Sequence, residues 1–194
     1  MAAADFETLA DATVRIDCGG SSGSGFHFLR PEIIVTADHV VEGNRNAVET
    51  MTEDGSAWNL RYLAHSPESD YDFAIFEVDG KVPANRTTLL PPDQPQLPSR
   101  GTDVGLAGFP HGIPDLLVQR GIVAGPNADQ GFYVDAPVNA GNSGGPVIDT
   151  ANGSVIGGNR SSSTSQAWLA TCKPESWAWI SGASRGWWAS RTFS

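Results

Sequence analysis

The chain has 194 residues, 40% of them hydrophobic, with 22 acidic side chains against 12 basic ones and a formal charge of −10 at pH 7. That length allows one large or two small domains with a substantial core. The acidic balance excludes non-specific nucleic-acid binding, which needs a basic face, and no apolar run is long enough to span a membrane as a helix.

At the N-terminus, Met1-Ala2-Ala3-Ala4-Asp5-Phe6-Glu7 lacks the basic and apolar regions of a signal peptide. Cys18 and Cys172 are too few for a disulfide framework. Both readings give a cytoplasmic expectation. A chain already trimmed of a signal would read the same way and be secreted or periplasmic.

Short β-like segments separated by turn residues follow. Strands are predicted at Thr13–Asp17, Gly25–Leu29, Ile33–Ala37, Ala47–Thr52, Ser56–Ala64 and Phe73–Val78. Glu53-Asp54-Gly55 supplies a hairpin turn between the fourth and fifth. Six strands are enough to close a small barrel, which places a first barrel at residues 12–80. Residues 81–100 are a proline-rich connection, with Pro83, Pro91, Pro92, Pro95 and Pro98. Prolines at this density resist both helix and central strand, so the connection reads as extended. A second set of strands is predicted at Val104–Phe109, Leu116–Val123, Gly131–Asp135, Pro146–Asp149 and Ser154–Gly157. It forms a second barrel at 101–158. There is no long helical periodicity before residue 158, so the fold class is all-β.

The chemistry concentrates at Ala140-Gly141-Asn142-Ser143-Gly144-Gly145-Pro146-Val147. A serine between small residues is open to a substrate carbonyl. Glycines on either side let the backbone turn so that amide N–H groups point at one spot. Gly-x-Ser-x-Gly also describes the nucleophile elbow of α/β-hydrolases, where the histidine follows the serine. Here His27, His39, His65 and His111 all precede Ser143, and βαβ alternation is lacking, so an esterase on that fold is disfavoured. The remaining order is His, Asp, Ser. His39 lies just past the apolar strand Ile33-Ile34-Val35-Thr36-Ala37. Asp72 stands just before Phe73-Ala74-Ile75-Phe76. Asp70 competes with Asp72, which is preferred because Phe73-Ala74 follows it directly. His27, His65 and His111 have no partner motif and read as structural or exposed. No zinc, calcium or phosphate-binding spacing is present, so no metal and no cofactor are expected.

These segments resemble the trypsin-like peptidases of the HtrA/Deg type. Thr36-Ala37-Asp38-His39-Val40, Asp72-Phe73-Ala74 and Gly141-Asn142-Ser143-Gly144-Gly145-Pro146 carry the likeness. Gly23-Ser24-Gly25-Phe26, Gly108-Phe109-Pro110-His111-Gly112, Gln119-Arg120-Gly121-Ile122-Val123 and Asp135-Ala136 extend it over roughly residues 12 to 158. The resemblance implies two six-stranded antiparallel barrels of the chymotrypsin/trypsin type with the active site in the cleft between them. His39 and Asp72 would come from the first barrel and Ser143 from the second, in a single peptidase domain over residues 1–194.

By the same resemblance the expected activity is that of a serine endopeptidase acting on protein or peptide substrates through an acyl-enzyme. Ser143 is the nucleophile, His39 its base, and Asp72 the group that orients the imidazole. Gly141 and Ser143 supply the oxyanion-hole N–H groups, with Asn142 between them. The base of the primary pocket falls on Pro137, six residues before the serine, beside Val138, and the strand that continues from Gly157 walls it. No acid stands there to select Arg or Lys, so a small or medium apolar preference is implied. No partner-binding PDZ domain is expected after these segments. The alternative is a catalytically inactive protein of the same fold, either a binding or scaffold protein or the product of a damaged gene.

Residues 159–194 break the pattern. They hold five of the six tryptophans, nine serines, and four basic residues against one acid. The final apolar strand that the resemblance implies is not recognisable there. The abrupt switch to Arg, Ser and Trp is what an out-of-frame reading of a G+C-rich gene produces. The tail therefore reads either as out of frame or otherwise unrelated, which would leave the second barrel incomplete, or as a native tail that packs its tryptophans on the barrel.

Overall fold

The computed structural model describes residues 6–66, 72–94, 96–127, 131–161 and 165–169. Strands β1 (Thr13–Cys18), β2 (Ser21–Phe28), β3 (Arg30–Thr36), β4 (Val48–Met51), β5 (Ala57–His65) and β6 (Ala74–Asp79) form the first barrel. Its order is β1-β2-β3-β6-β5-β4, antiparallel throughout. Alternation sets the inside face: Val14, Ile16 and Cys18 of β1 are buried, as every second residue of a half-buried strand should be. They join Ile34, Leu60, Phe76 and Val78 in the barrel core.

The second barrel contains β7 (Asp103–Gly108), β8 (Leu117–Pro126), β9 (Phe132–Asp135), β10 (Pro146–Asp149), β11 (Val155–Ser161) and β12 (Ser165–Leu169). Its order is β10-β11-β12-β9-β8-β7. Val104, Leu106, Val123, Phe132, Val134, Val147 and Ile156 fill it. Five strands build the curled body and β12 closes it. β11 continues past the expected end at Gly157 to Ser161, and β12 pairs with it from Gly157↔Leu169 to Ser161↔Ser165. On its other side β12 reaches β9 only through Gln166↔Tyr133 and Ala167↔Phe132. Residues 159–161 and 165–169 therefore take part in the sheet. Ser165-Gln166-Ala167-Trp168-Leu169 has no clean alternation of branched residues, so its strand character comes from two unpaired edges that it bridges, not from propensity. Residues 170–194, with Cys172, lie outside the described residues.

A third apolar cluster joins the barrels. Phe26 and Phe28 come from the first, Phe109 and Ile148 from the second, and Leu89 from the connection. Leu9 joins them from a seven-residue helix, α1 (Phe6–Ala12). α1 is too short to leave a periodic signal. Its end is held by Thr13 Oγ1, which donates to the Leu9 carbonyl at 2.7 Å. The connection is extended, as its prolines require, but it is tied down. Leu89 donates to the His27 carbonyl at 3.0 Å and accepts from Leu29 N–H at 2.9 Å, while the Leu90 carbonyl accepts from Val155 N–H at 2.8 Å. The connection thus fixes the two barrels against each other.

Candidate active site

β3 ends at Thr36, and the chain turns through buried Ala37 into a single helical turn, α2 (Asp38–Val41). The pairing Thr36↔Ala74 brings the start of β6 beside that turn. His39 and Asp72 meet there. His39 Nδ1 lies 2.7 Å from Asp72 Oδ2, and His39 N–H donates to Asp72 Oδ1 at 3.0 Å. Asp38 N–H donates to the Asp72 carbonyl at 3.2 Å. Two oxygens on one ring N–H and one backbone N–H fix both the position and the plane of the carboxylate. The Asp72 side chain is only 6% exposed, while that of His39 is 39% exposed. Asp72 has φ of +36°, a left-handed conformation that costs a non-glycine residue energy and persists only where the surroundings over-determine it. The neighbouring Asp38 is taken by Arg45, through Nε at 3.0 Å and Nη2 at 2.7 Å. That hydrogen bond holds Arg45 above its ordinary pKa. Asp70, the competing acid, lies outside the described residues.

Ser143 is buried in a loop whose carbonyls are tied down one after another. Asn139 O accepts from Asn142 N–H at 3.0 Å and Ala140 O from His111 N–H at 2.7 Å. Gly141 O accepts from Ser24 Oγ at 2.8 Å. Asn142 O accepts from Gly145 N–H at 3.0 Å and Ser143 O from Ser24 N–H at 2.7 Å. The loop needs its glycines. Gly141 has φ of +95°, and a Cβ there would run into Phe109 O and His111 N. Gly144 has φ of +84°, and its Cβ would run into Ser24 O, Thr36 Oγ1 and Ala37 N. The serine loop of the second barrel therefore lies directly on β2 and on the turn that carries His39. Behind it, buried Asn142 donates from Nδ2 to Gln119 Oε1 at 3.4 Å. Its Oδ1 has no partner among the described residues.

Of the residues read as a pocket, Pro137 is exposed, Val138 is half-buried and Gly157 is buried in β11. Val138 packs on the second-barrel core, and Gly157 pairs with Val147. The other histidines differ from one another. His27 is buried, with Nδ1 2.7 Å from the Pro31 carbonyl, and burial lowers its pKa to about 4. His65 bonds the Tyr62 hydroxyl. His111 has a positional role that its motif did not reveal, through its backbone contact to Ala140 and a ring contact from Nε2 to Ser22 O at 3.0 Å. Ser24, Gln119 and Arg160 were likewise missed, because each reaches the site from a distant strand. Arg160 Nε lies 3.4 Å from Asp72 Oδ2.

Residues 23–157 match the family described as the trypsin-like peptidase domain. Among curated proteins, the chain is 32% identical over 148 residues to the magnetosome formation protease MamE of Paramagnetospirillum magneticum, covering 71% of this chain and 19% of that protein. It is 32% identical over 145 residues to a probable periplasmic serine endoprotease, DegP-like, of Bartonella henselae, covering 71% of this chain and 27% of that one. It thus spans about a fifth to a quarter of the length of these relatives. Among solved structures, a serine endoprotease from Yersinia pestis superimposes with a TM-score of 0.70 at 21% identity, covering 87% of this chain and 64% of that one. An inactive form of Rv3671c from M. tuberculosis H37Rv, a serine-to-alanine mutant, gives 0.67 at 23% identity, covering 85% and 84%. At such identities the structural likeness speaks to the fold.

Proposed function

The chain belongs to the trypsin-like peptidase family, and on that premise we propose that it is a serine endopeptidase using His39, Asp72 and Ser143. The observation that carries the reading is the doubly bonded His39–Asp72 pair, at 2.7 Å from the ring and 3.0 Å from the backbone. A carboxylate oxygen can only accept from the ring N–H, so Nδ1 carries the proton and Nε2 is left as the basic nitrogen. Nε2 takes the proton of the Ser143 hydroxyl as its oxygen attacks the scissile carbonyl. It then hands that proton to the leaving amine, and water resolves the acyl-enzyme by the same route. Asp72 steadies the imidazolium in each half-reaction.

The oxyanion hole is assigned to the N–H groups of Gly141 and Ser143. In a trans peptide the N–H points opposite to the preceding carbonyl. Ala140 O is bonded to His111 and Asn142 O to Gly145, so Gly141 N–H and Ser143 N–H face away from those partners. That orientation supports the assignment. Substrates are proteins or peptides. Uncharged Pro137 and Val138 before the serine support a small or medium apolar side chain in the primary pocket.

Labelling with a fluorophosphonate probe, beside a Ser143→Ala control, tests the proposal. Labelling that disappears in the variant is expected. A folded protein that fails to label would favour a non-catalytic member of the family.

A further inference from the structure

Asp72 carries one contact that the reaction above does not use. Arg160 Nε lies 3.4 Å from Oδ2, the same oxygen that meets His39 Nδ1 at 2.7 Å. Arg160 belongs to β11, and the residue before it is fastened to the serine loop. Gly144 N–H donates to Asn159 O, and Asn159 N–H donates to Gly145 O, both at 2.8 Å. The side chain thus starts from a strand locked to the Ser143 loop in the second barrel and ends on a carboxylate in the first. The two ends differ in burial. The Arg160 side chain is 41% exposed and that of Asp72 6%. An ion pair with an exposed partner adds little to stability. A buried carboxylate, by contrast, is sensitive to every donor that surrounds it.

We infer that Arg160 is a positioning residue. It holds Asp72, and through it His39, in register with the Ser143 loop. The inference rests on the serine-endopeptidase reading for its kinetic effect, and on the Arg160–Asp72 contact alone for its structural effect. A cation at this place also differs from a catalytic group, because it acts on the acid and takes no part in proton transfer.

The test uses the full chain and a peptide ester substrate. Misplacing a reacting group lowers turnover more than binding, so Arg160→Ala is expected to lower kcat about tenfold with KM changed less than about twofold. The melting temperature should not move, and Arg160→Lys should recover part of the loss. In an Asp72→Asn background the same Arg160→Ala change should cost nothing further, since its target is gone. A kcat that does not change, a rise in KM alone, or a tenfold loss that persists in the Asp72→Asn background overturns the inference. A second readout does not need activity. The downfield proton resonance of His39 Nδ1–H should shift in Arg160→Ala, and an unmoved resonance, or none in the parent protein, also overturns it. Absence of Ser143-dependent hydrolysis in the parent protein would instead sink the endopeptidase reading, leaving the resonance to decide the role of Arg160.

Discussion

Ser24 Oγ donates to the Gly141 carbonyl at 2.8 Å and accepts from Phe109 N–H at 2.9 Å. One buried hydroxyl on a first-barrel strand thereby joins two separate loops of the second barrel. Its backbone takes part as well, since Ser24 N–H donates to Ser143 O at 2.7 Å and Ser24 O accepts from Thr36 Oγ1 at 2.7 Å. The assembly of the serine loop therefore depends on a residue more than a hundred positions earlier in the chain.

Ser24→Ala should damage both stability and turnover. It strands a buried carbonyl and a buried N–H, a loss of about 1–3 kcal/mol, which lowers the melting temperature by about 2–4 °C per kcal/mol for a chain of this size. The Gly141 peptide would also lose its anchor, so kcat is expected to fall about tenfold or more while KM changes little. Parallel melts and steady-state kinetics would check this. A variant that melts early but turns over normally would separate Ser24 from the oxyanion hole.

Asp72→Asn should keep the fold and remove the activity. Asn tolerates the left-handed backbone at this position better than most residues, and its size matches. Its amide can present N–H to the ring, which stabilises the wrong tautomer and lowers kcat by about 10⁴. The rate of fluorophosphonate labelling should drop in step with kcat, with an unchanged denaturation midpoint. A fall in kcat of less than about tenfold would direct attention to another acid.

Gly144→Ala should act on the fold first. The left-handed conformation alone costs an alanine roughly 1–2 kcal/mol. The added methyl would also press on the Ser24 carbonyl and the turn that leads to His39. Equilibrium denaturation is expected to give a loss above that figure. A neutral result would mean that the loop does not lie against β2.

His27 predicts a pH dependence. Its ring is buried, and Nε2 has no partner among the described residues. Nδ1 donates to the Pro31 carbonyl, so the neutral form fits the site. Burial lowers the pKa from 6.5 to about 4. Between those values the unfolded chain binds more protons than the folded one, so stability rises with pH across the window. The contribution of the neutral ring is full above pH 6.5. It is lost as the pH falls towards 4, by a total on the order of 3 kcal/mol. His27→Asn retains a donor for the Pro31 carbonyl without the titration. Its unfolding free energy between pH 4 and 7 should have a smaller slope than that of the parent. Identical slopes would exclude His27 as the source.

The chain order of the strands, the all-β class and the candidate motifs around His39, Asp72 and Ser143 were legible from the sequence alone. Each is a local signal. Alternation marks a strand within five or six residues, a turn needs two or three, and Gly141-Asn142-Ser143-Gly144-Gly145-Pro146 states its own backbone constraints. β12 was not legible, because Ser165–Leu169 is a strand only by virtue of the edges of β9 and β11 on either side. Nor was the anchoring of the proline-rich connection through Leu89 and Leu90, whose partners lie in both barrels. Ser24, His111 and Arg160 are ordinary residues in sequence. Only closure of the barrels brings their donors within reach of Gly141, Ala140 and Asp72, and that distance depends on the packing of many remote side chains at once. Local physics determined which residues could do the chemistry, and tertiary packing decided which residues hold them in place.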